Sequence, residues 1–406
     1  MESSSSKNFW SVRECLQHYQ TTATEQKAST KIYFIDASWF MPSQNRKGRE
    51  EFEQGPRLPN ALYWDTDDLA TSFELFPEQN PAKLQHSFPP PWMVGAALES
   101  MIGNSAKSYS YSENENPPYT LVVYGREGTT FLPRVWYVLK QYYKGTVKIL
   151  GGSLEEWINE GGPVDTNILE NSLRAQDLVN ARNKQHASSS KNNSNDTEEN
   201  EYDHPLVSKI AKEQIVDQKF VQMVVELRQK YCSNMAILDS RGASGFASGH
   251  IPTAKNVPFS TLVHPDNTLL LKPKAELRVA LTEALGEDTF QDLQKTPALL
   301  SCFSAVSACT LALALDELDE FPEPYMYDGS WNEWGQDPDT PKESSEESTE
   351  KKEEEKAEKK EANEEKETAT TPATEEEPDD IPPQESKTER QDSDTTPPQE
   401  SAGTAT

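Results

Sequence analysis

The sequence predicts an α/β protein: two tandem domains, each a parallel sheet flanked by helices on both faces, followed by an acidic C-terminal tail. Three observations lead there. Short apolar runs rich in β-branched and aromatic residues alternate with longer helical segments, the pattern of βα units and parallel sheets. The alternation occurs twice, with matching landmarks. The composition also shifts abruptly at residues 187–204 and again beyond Gly335, where residues able to enter a core almost vanish.

A chain of 406 residues has room for two or three domains, each with its own core. There are 68 acidic and 39 basic residues, a net charge of −29. Residues 341–406 account for −13 of this, so the body is acidic as well. Such a surface repels nucleic acid and anionic membrane, and neither is an expected partner. The four cysteines, Cys15, Cys232, Cys302 and Cys309, include no C-x2-C pairing. This suits a reducing compartment and argues against a disulfide framework or a zinc site. No apolar run approaches 18 residues. The N-terminal stretch MESSSSKNFWSVREC lacks both a secretory apolar core and a strongly basic presequence, so the cytosol is the default expectation, with the mitochondrion as the alternative.

Taken in order, Lys31–Asp36 (KIYFID) is the first buried strand, and residues 45–54 form a short charged helix. Residues 62–64 make a second strand, and residues 71–91, rich in Pro and Phe, are irregular. Pro91–Ile102 is a helix, 104–118 a polar insertion, and 120–124 a strand. Residues 134–143 form an amphipathic helix, and 146–150 a strand turning through Gly151 and Gly152 into a helix that ends near Trp157. The low-complexity stretch 187–204 reads as a flexible surface insert. Ile215, Val216, Phe220, Met223, Val224 and Leu227 then give one helix over 215–229.

The second half repeats the plan. Residues 236–239 match 34–36, and 299–302 with the following helix match 122–125 with theirs. Tyr327-Asp-Gly-Ser-Trp-Asn-Glu-Trp334 matches Leu150-Gly-Gly-Ser-Leu-Glu-Glu-Trp157. An internal duplication is the economical explanation. The copies differ at one telling position: where the second has Cys302, the first has Gly125.

That cysteine lies in residues 296–315, TPALLSCFSAVSACTLALAL, read as a buried strand, a tight loop opening on Cys302, and an apolar helix starting near Val306 or Ser307. A cysteine between a strand and a helix N-terminus sits among backbone N–H groups and the positive end of the helix dipole, which favour thiolate over thiol. Ser304 and Ser307 add hydroxyls, and Ala305 lets the backbone curl closely around a bound group. Cys309 reads as core, because pairing it with Cys302 would require the helix N-terminus to bend.

With Ile237-Leu-Asp-Ser-Arg241, Gly249-His-Ile-Pro252 and the Tyr327–Trp334 segment around it, the Cys302 loop resembles the rhodanese domain of two-domain mercaptopyruvate/thiosulfate sulfurtransferases. Their loop reads C-G-S-G-V-T where this one reads Cys302-Phe-Ser-Ala-Val-Ser307. The resemblance implies two rhodanese-like domains: a non-catalytic one at 30–165 after an N-terminal segment 1–29, a linker over 166–205, a catalytic one at 206–337, and a disordered tail from 338 to 406. It implies Cys302 as nucleophile, with Asp67 and His86 of the first copy and Ser304 of the second as a proton-handling trio. Tyr63-Trp-Asp-Thr-Asp67 and His86-Ser-Phe-Pro89 resemble the family's F-F-D-x-D and H-x-L-P. Phe303, Ala305, Val306 and Ser307 then line the substrate site. The implied partners are a small sulfur donor and a thiol acceptor, either a small molecule or a protein such as a thioredoxin-type thiol, with cyanide as a further acceptor. No metal or organic cofactor is implied, and the expected state is a monomer.

Departures from the pattern matter equally. The family grips its anionic donors with two arginines, one before a Phe and one in an E-P-R insert. Here Gly245 precedes Phe246, and only Ala247 and Ser248 separate Phe246 from Gly249, so both are missing. Each charge-assisted contact is worth roughly 1.5–3 kcal/mol, so anionic-donor binding weakens by several kcal/mol unless other groups replace them. Arg241 is expected to pair with Asp239 as structure. These losses and Phe303 support an alternative reading, a catalytically degenerate binding module. A phosphatase of the related Cdc25 type is disfavoured, since C-x5-R would need Arg where Ala308 stands.

Overall fold

Two sheets of identical strand order carry the chain. A computed structural model describes residues 6–24, 31–103, 119–189, 206–207 and 211–344. The first copy runs β1 (Phe9–Ser11), α1 (Val12–Thr24), β2 (Lys31–Asp36), α2 (Gly48–Gln54), β3 (Leu62–Tyr63), α3 (Pro91–Ile102), β4 (Tyr119–Tyr124), α4 (Leu132–Tyr142), β5 (Thr146–Gly151), α5 (Leu154–Asn159) and α6 (Ala175–Ser189). The second runs β6 (Ile215–Val216), α7 (Gln218–Tyr231), β7 (Ile237–Asp239), α8 (Ala243–Ala247), β8 (Lys255–Asn256), β9 (Val263–His264), β10 (Asn267–Leu271), α9 (Lys274–Leu285), α10 (Glu287–Leu293), β11 (Leu299–Ser301), α11 (Ala308–Leu318), β12 (Tyr325–Tyr327) and α12 (Ser330–Trp334).

The sheet orders are β1-β5-β4-β2-β3 and β6-β12-β11-β7-β8, with every neighbouring pair parallel; β9 and β10 form a separate antiparallel hairpin. Each strand of one sheet thus has a counterpart in the other, as the duplication requires. In both sheets the chain builds outward from β2 or β7 and then jumps across to β4 or β11. The carboxyl ends of the two central strands flank that switch point, where open α/β sheets receive ligands. Ser301 ends β11 and Cys302 follows it directly.

Side chains alternate along the strands and explain the layering. Tyr33, Ile35, Leu121 and Val123 enter one large core, whereas Ile32, Phe34, Val122 and Tyr124 enter a smaller one with Val12, Cys15, Leu58 and Trp157. The second sheet sends Ile237, Leu299 and Tyr327 to its own outer cluster with Val221, Val224 and Trp334. Its inner face joins the same large core as the first copy, through Leu238, Leu300 and Met326. Helices α4 and α11 pack against each other across that shared core.

Three expectations change. The N-terminal stretch, set apart above as residues 1–29, contributes β1, which pairs with β5 from Phe9↔Ile149 to Ser11↔Gly151, and α1, which covers the outer cluster. Ile215 and Val216 are not the start of a helix but the edge strand beside Met326 and Tyr327. The helix begins after Asp217, whose carboxylate accepts from the N–H of Phe220 at 3.0 Å. At the other end, residues 338–344 are ordered against the second copy: Trp334 Nε1 donates to the Pro341 carbonyl at 2.7 Å, and His250 pairs with Glu343 as an antiparallel bridge. The insertion at 104–118 and the tail beyond 344 lie outside the described residues, as do 190–204 of the stretch 187–204; its first residues, 187–189, end the helix α6 instead of forming a loose insert.

Candidate active site

The loop after β11 is braced from below. The N–H groups of Cys302 and Ala305 both donate to Ser330 Oγ, at 3.2 and 3.1 Å, and that hydroxyl donates to the Tyr327 carbonyl at 2.9 Å. The carbonyls of Cys302 and Phe303 accept from the N–H groups of Trp331 and Asn332 at 3.0 and 2.8 Å. Ser330 was present in the Tyr327–Trp334 motif, but sequence reasoning gave it no role. The loop curls because Ala305 adopts a left-handed conformation, φ +54. The N–H groups of Phe303, Ser304, Val306 and Ser307 have no acceptor among the described residues. They remain available to an anion at the mouth of the loop.

Cys302 is 1% exposed and packs within the large apolar core rather than at the open mouth of the loop, while Phe303 beside it is 51% exposed. Ser307 Oγ meets Ser240 Oγ, from the loop after β7, at 2.9 Å. The helix then begins at Ala308, one or two residues later than the sequence suggested. Cys309, in its first turn, is fully buried, as expected for a core residue. Burial pushes its thiol up to about 12, and the S–H donates to the Ala305 carbonyl at 3.1 Å.

The trio from the two copies is assembled. Ser304 Oγ lies 3.0 Å from His86 Nδ1, and His86 Nε2 lies 2.8 Å from Asp67 Oδ1. Asp67 Oδ2 accepts from Trp39 Nε1 at 3.0 Å, a contact with no warning in the sequence. With Nε2–H donated to Asp67, Nδ1 is free to accept the Ser304 hydroxyl proton. Partial burial of Asp67 favours its neutral form, but the hydrogen bonds from His86 and Trp39 outweigh it and hold the carboxyl below its ordinary range.

The first copy has no equivalent machinery. A Cβ on Gly125 would come within 2.9 Å of Leu132 Cδ2 and 3.0 Å of Thr129 Cγ2, so the space a nucleophile would need is filled. Arg126 follows, buried and donating to the carbonyls of Glu51 and Pro56.

Arg241 behaves as expected. It makes a bidentate pair with Asp239 at 2.7 to 3.1 Å, donates to the Gly249 carbonyl and lies over the Trp331 ring. It is therefore not free to replace the absent arginines. A Cβ on Gly245 would meet nothing within 4 Å. A cleft of about 1060 Å³ opens on the seam between the copies, lined by Phe76, Phe88 and Trp92 on one side and Asp217, Asp328 and Glu333 on the other; Cys302, Ser304, His86 and Asp67 do not line it. No group of His, Cys, Asp and Glu among the described residues could hold a metal ion, and no described helix is long and apolar enough to cross a membrane.

Comparison with known proteins bears on the fold and on the second copy's sequence. Residues 223–337 match the rhodanese-like domain family. Over 329 residues, 77% of this chain and 74% of the relative, the sequence is 29% identical to a mitochondrial thiosulfate/3-mercaptopyruvate sulfurtransferase 1 of Arabidopsis thaliana. It is 26% identical to a 3-mercaptopyruvate sulfurtransferase of Escherichia coli strain K12, over 77% of this chain and 92% of that one. Among solved structures, the Tum1 protein of Saccharomyces cerevisiae superposes with a TM-score of 0.56 at 21% identity, covering 82% of this chain and 97% of the other. SseA from Escherichia coli superposes at 0.52 and 22% identity, covering 80% and 98%. At these identities the superpositions speak to the fold, and the two sheets are its tandem form. Residues 223–337 thus match a rhodanese-like domain, and the two sheets together share the rhodanese fold of SseA.

Proposed function

We propose that this protein is a sulfurtransferase that moves sulfane sulfur from a donor of the 3-mercaptopyruvate or thiosulfate type to a thiol or cyanide acceptor, through a persulfide on Cys302. The observation that carries the reading is the contact of Ser304 with His86 at 3.0 Å, because it joins the loop of the cysteine to the Asp67–His86 pair of the other copy. In this scheme 206–337 is the catalytic copy and 30–165 supplies the facing wall.

Chemistry proceeds in two steps. The Cys302 thiolate attacks the outer sulfur of the donor; the bond from that sulfur to the rest of the donor breaks, and its electron pair leaves with the remainder, as an enolate or sulfite. With mercaptopyruvate the transferred sulfur brings its own proton; as the new persulfide ionises, that proton replaces the one Ser304, hydrogen-bonded to His86, gives to the enolate, whereas departing sulfite needs none. The unpartnered N–H groups of the loop surround the transferred sulfur together with Phe303, Ala305, Val306 and Ser307. An acceptor thiolate then attacks the outer sulfur of the persulfide and regenerates Cys302. The chemistry needs no cofactor, and the acceptor is a small thiol or a protein thiol of thioredoxin type. Cytosol and mitochondrion are both suitable settings.

Two observations favour a second reading: Cys302 is covered, and the two donor-gripping arginines of the family are missing. On that reading the tandem pair is a degenerate binding module. Transfer assays with Cys302→Ser decide between them. The enzyme reading expects loss of all transfer in that variant and a fall of roughly 10²–10⁴-fold in His86→Ala, the range for a lost proton relay. A wild type that transfers sulfur from no donor leaves the binding module.

A further inference from the structure

We propose that Arg134 is a positioning residue for the Cys302 site, fixing the proton relay of one copy against the nucleophile loop of the other. This inference rests on the sulfurtransferase reading. Arg134 lies in the first turn of α4, is 3% exposed and belongs to the first copy, yet its guanidinium is shared between the copies. Nη1 donates to the Ala305 carbonyl at 3.1 Å, and Nη2 donates to the His86 carbonyl. The plane lies 3.6 Å from the centroid of the Phe88 ring, which holds it in orientation. Asp328, at the end of β12, accepts from the Phe88 N–H at 3.1 and 3.2 Å and adds a buried negative charge near the guanidinium.

The two carbonyls are not arbitrary. His86 and Ala305 both occupy the left-handed region, with φ +60 and +54, although neither is glycine, so each needs surroundings that hold it there. Each also sits at the point that matters: His86 is itself in the relay, and Ala305 directly follows Ser304. One rigid fork therefore fixes the backbones on both sides of the 3.0 Å Ser304–His86 contact. A lysine ammonium is a point donor without that fork and cannot hold both carbonyls in the same geometry.

The test uses the full chain with Arg134→Lys and Arg134→Met. Arg57→Lys serves as a control, since Arg57 is equally buried and also bonds backbone carbonyls, in the first copy away from the loop. Imidazole nitrogen-15 signals of His86 are identified by their loss in His86→Gln. In Arg134→Lys they are expected to move to the positions they take in Ser304→Ala, while Arg57→Lys leaves them in place. Sulfur transfer in Arg134→Lys is expected to lose at least tenfold in kcat with KM changed less than threefold, and less than twofold when His86 is already alanine. Unmoved His86 signals, or an equal loss with and without His86, would overturn the proposal. If Arg134→Met fails to fold, Arg134→Lys, which keeps the buried charge, carries the test. A wild type without transfer activity would sink the sulfurtransferase reading alone, because the imidazole signals still report whether Arg134 sets the contact.

Discussion

Asp328, directly after β12, is a buried carboxyl whose titration can be measured. Asp328 lies between the Phe88 N–H and the Arg134 charge, and burial, only partly offset by Arg134, pushes it up to about 6. Below the unfolded value near 4 the group is protonated in both states. Between about 4 and 6 only the folded chain keeps the proton, so stability falls as pH rises through this window. The shift corresponds to roughly 2–3 kcal/mol. Asp328→Asn keeps an acceptor for Phe88, and urea unfolding from pH 4 to 7 is expected to show this slope in the wild type minus variant difference; a flat difference would refute it. Cys302, Ser304, His86 and Asp67 were legible in the sequence because their residue types and neighbours form short motifs. Trp39, Ser330 and Arg134 were not, because a ring N–H, a hydroxyl under a loop and a guanidinium shared between two backbones leave no local pattern. Their partners are 28, 25 to 28, and 48 to 171 positions away.

Among the elements, the apolar strands β2, β4, β5, β7 and β11, the short strand β3 and the helices α3 and α4 were readable, whereas the edge strands β1 and β6 and the helices α1, α6 and α9 were not. Ile215 and Val216 fit an amphipathic helix as well as they fit a strand, and only pairing with Met326 and Tyr327 decides. β1 was hidden for the same reason, being three residues long at the edge of its sheet. The short helix α8 illustrates how an element can select a substrate. It carries Gly245 where the resemblance expects a cation, and its Phe246 stacks on His250 at 3.8 Å between centroids. Because a side chain at Gly245 meets nothing within 4 Å, Gly245→Arg is expected to fold normally. One restored charge-assisted contact should lower KM for thiosulfate roughly tenfold or more while changing turnover little. An unchanged KM in steady-state assays would show that α8 does not face the donor.

At the scale of the whole molecule, the duplication has become a division of labour. Both copies keep the five-stranded frame, but only the second has a cysteine after its central strand, while the first fills the matching space with Thr129 and Leu132. What the first copy supplies instead comes from its irregular stretch 71–91 and from α4: His86 to the relay and Arg134 to the loop. The seam is held by more than the site. Asn8 and Lys7 bond Glu317, Asp316 and Asp319, Gln141 bonds Glu323, and Phe131 packs on Phe259 at 4.9 Å. A continuous apolar core runs beneath these contacts. Two tandem sheets could be inferred from the repeated pattern, but the shared core could not, since periodicity reports that a face is buried and not against what. Cys302 itself is buried in that core, and the Ser304–His86 contact across the seam lies two residues from it. Incubating the full-length protein with 3-mercaptopyruvate or thiosulfate, removing excess donor and weighing the intact protein tests this account most directly. It predicts a species heavier by one sulfur atom, mapped to the Cys302 peptide, absent in Cys302→Ser and discharged by an added thiol. A wild-type mass unchanged by either donor, or a sulfur found on Cys15, Cys232 or Cys309 instead, would contradict it.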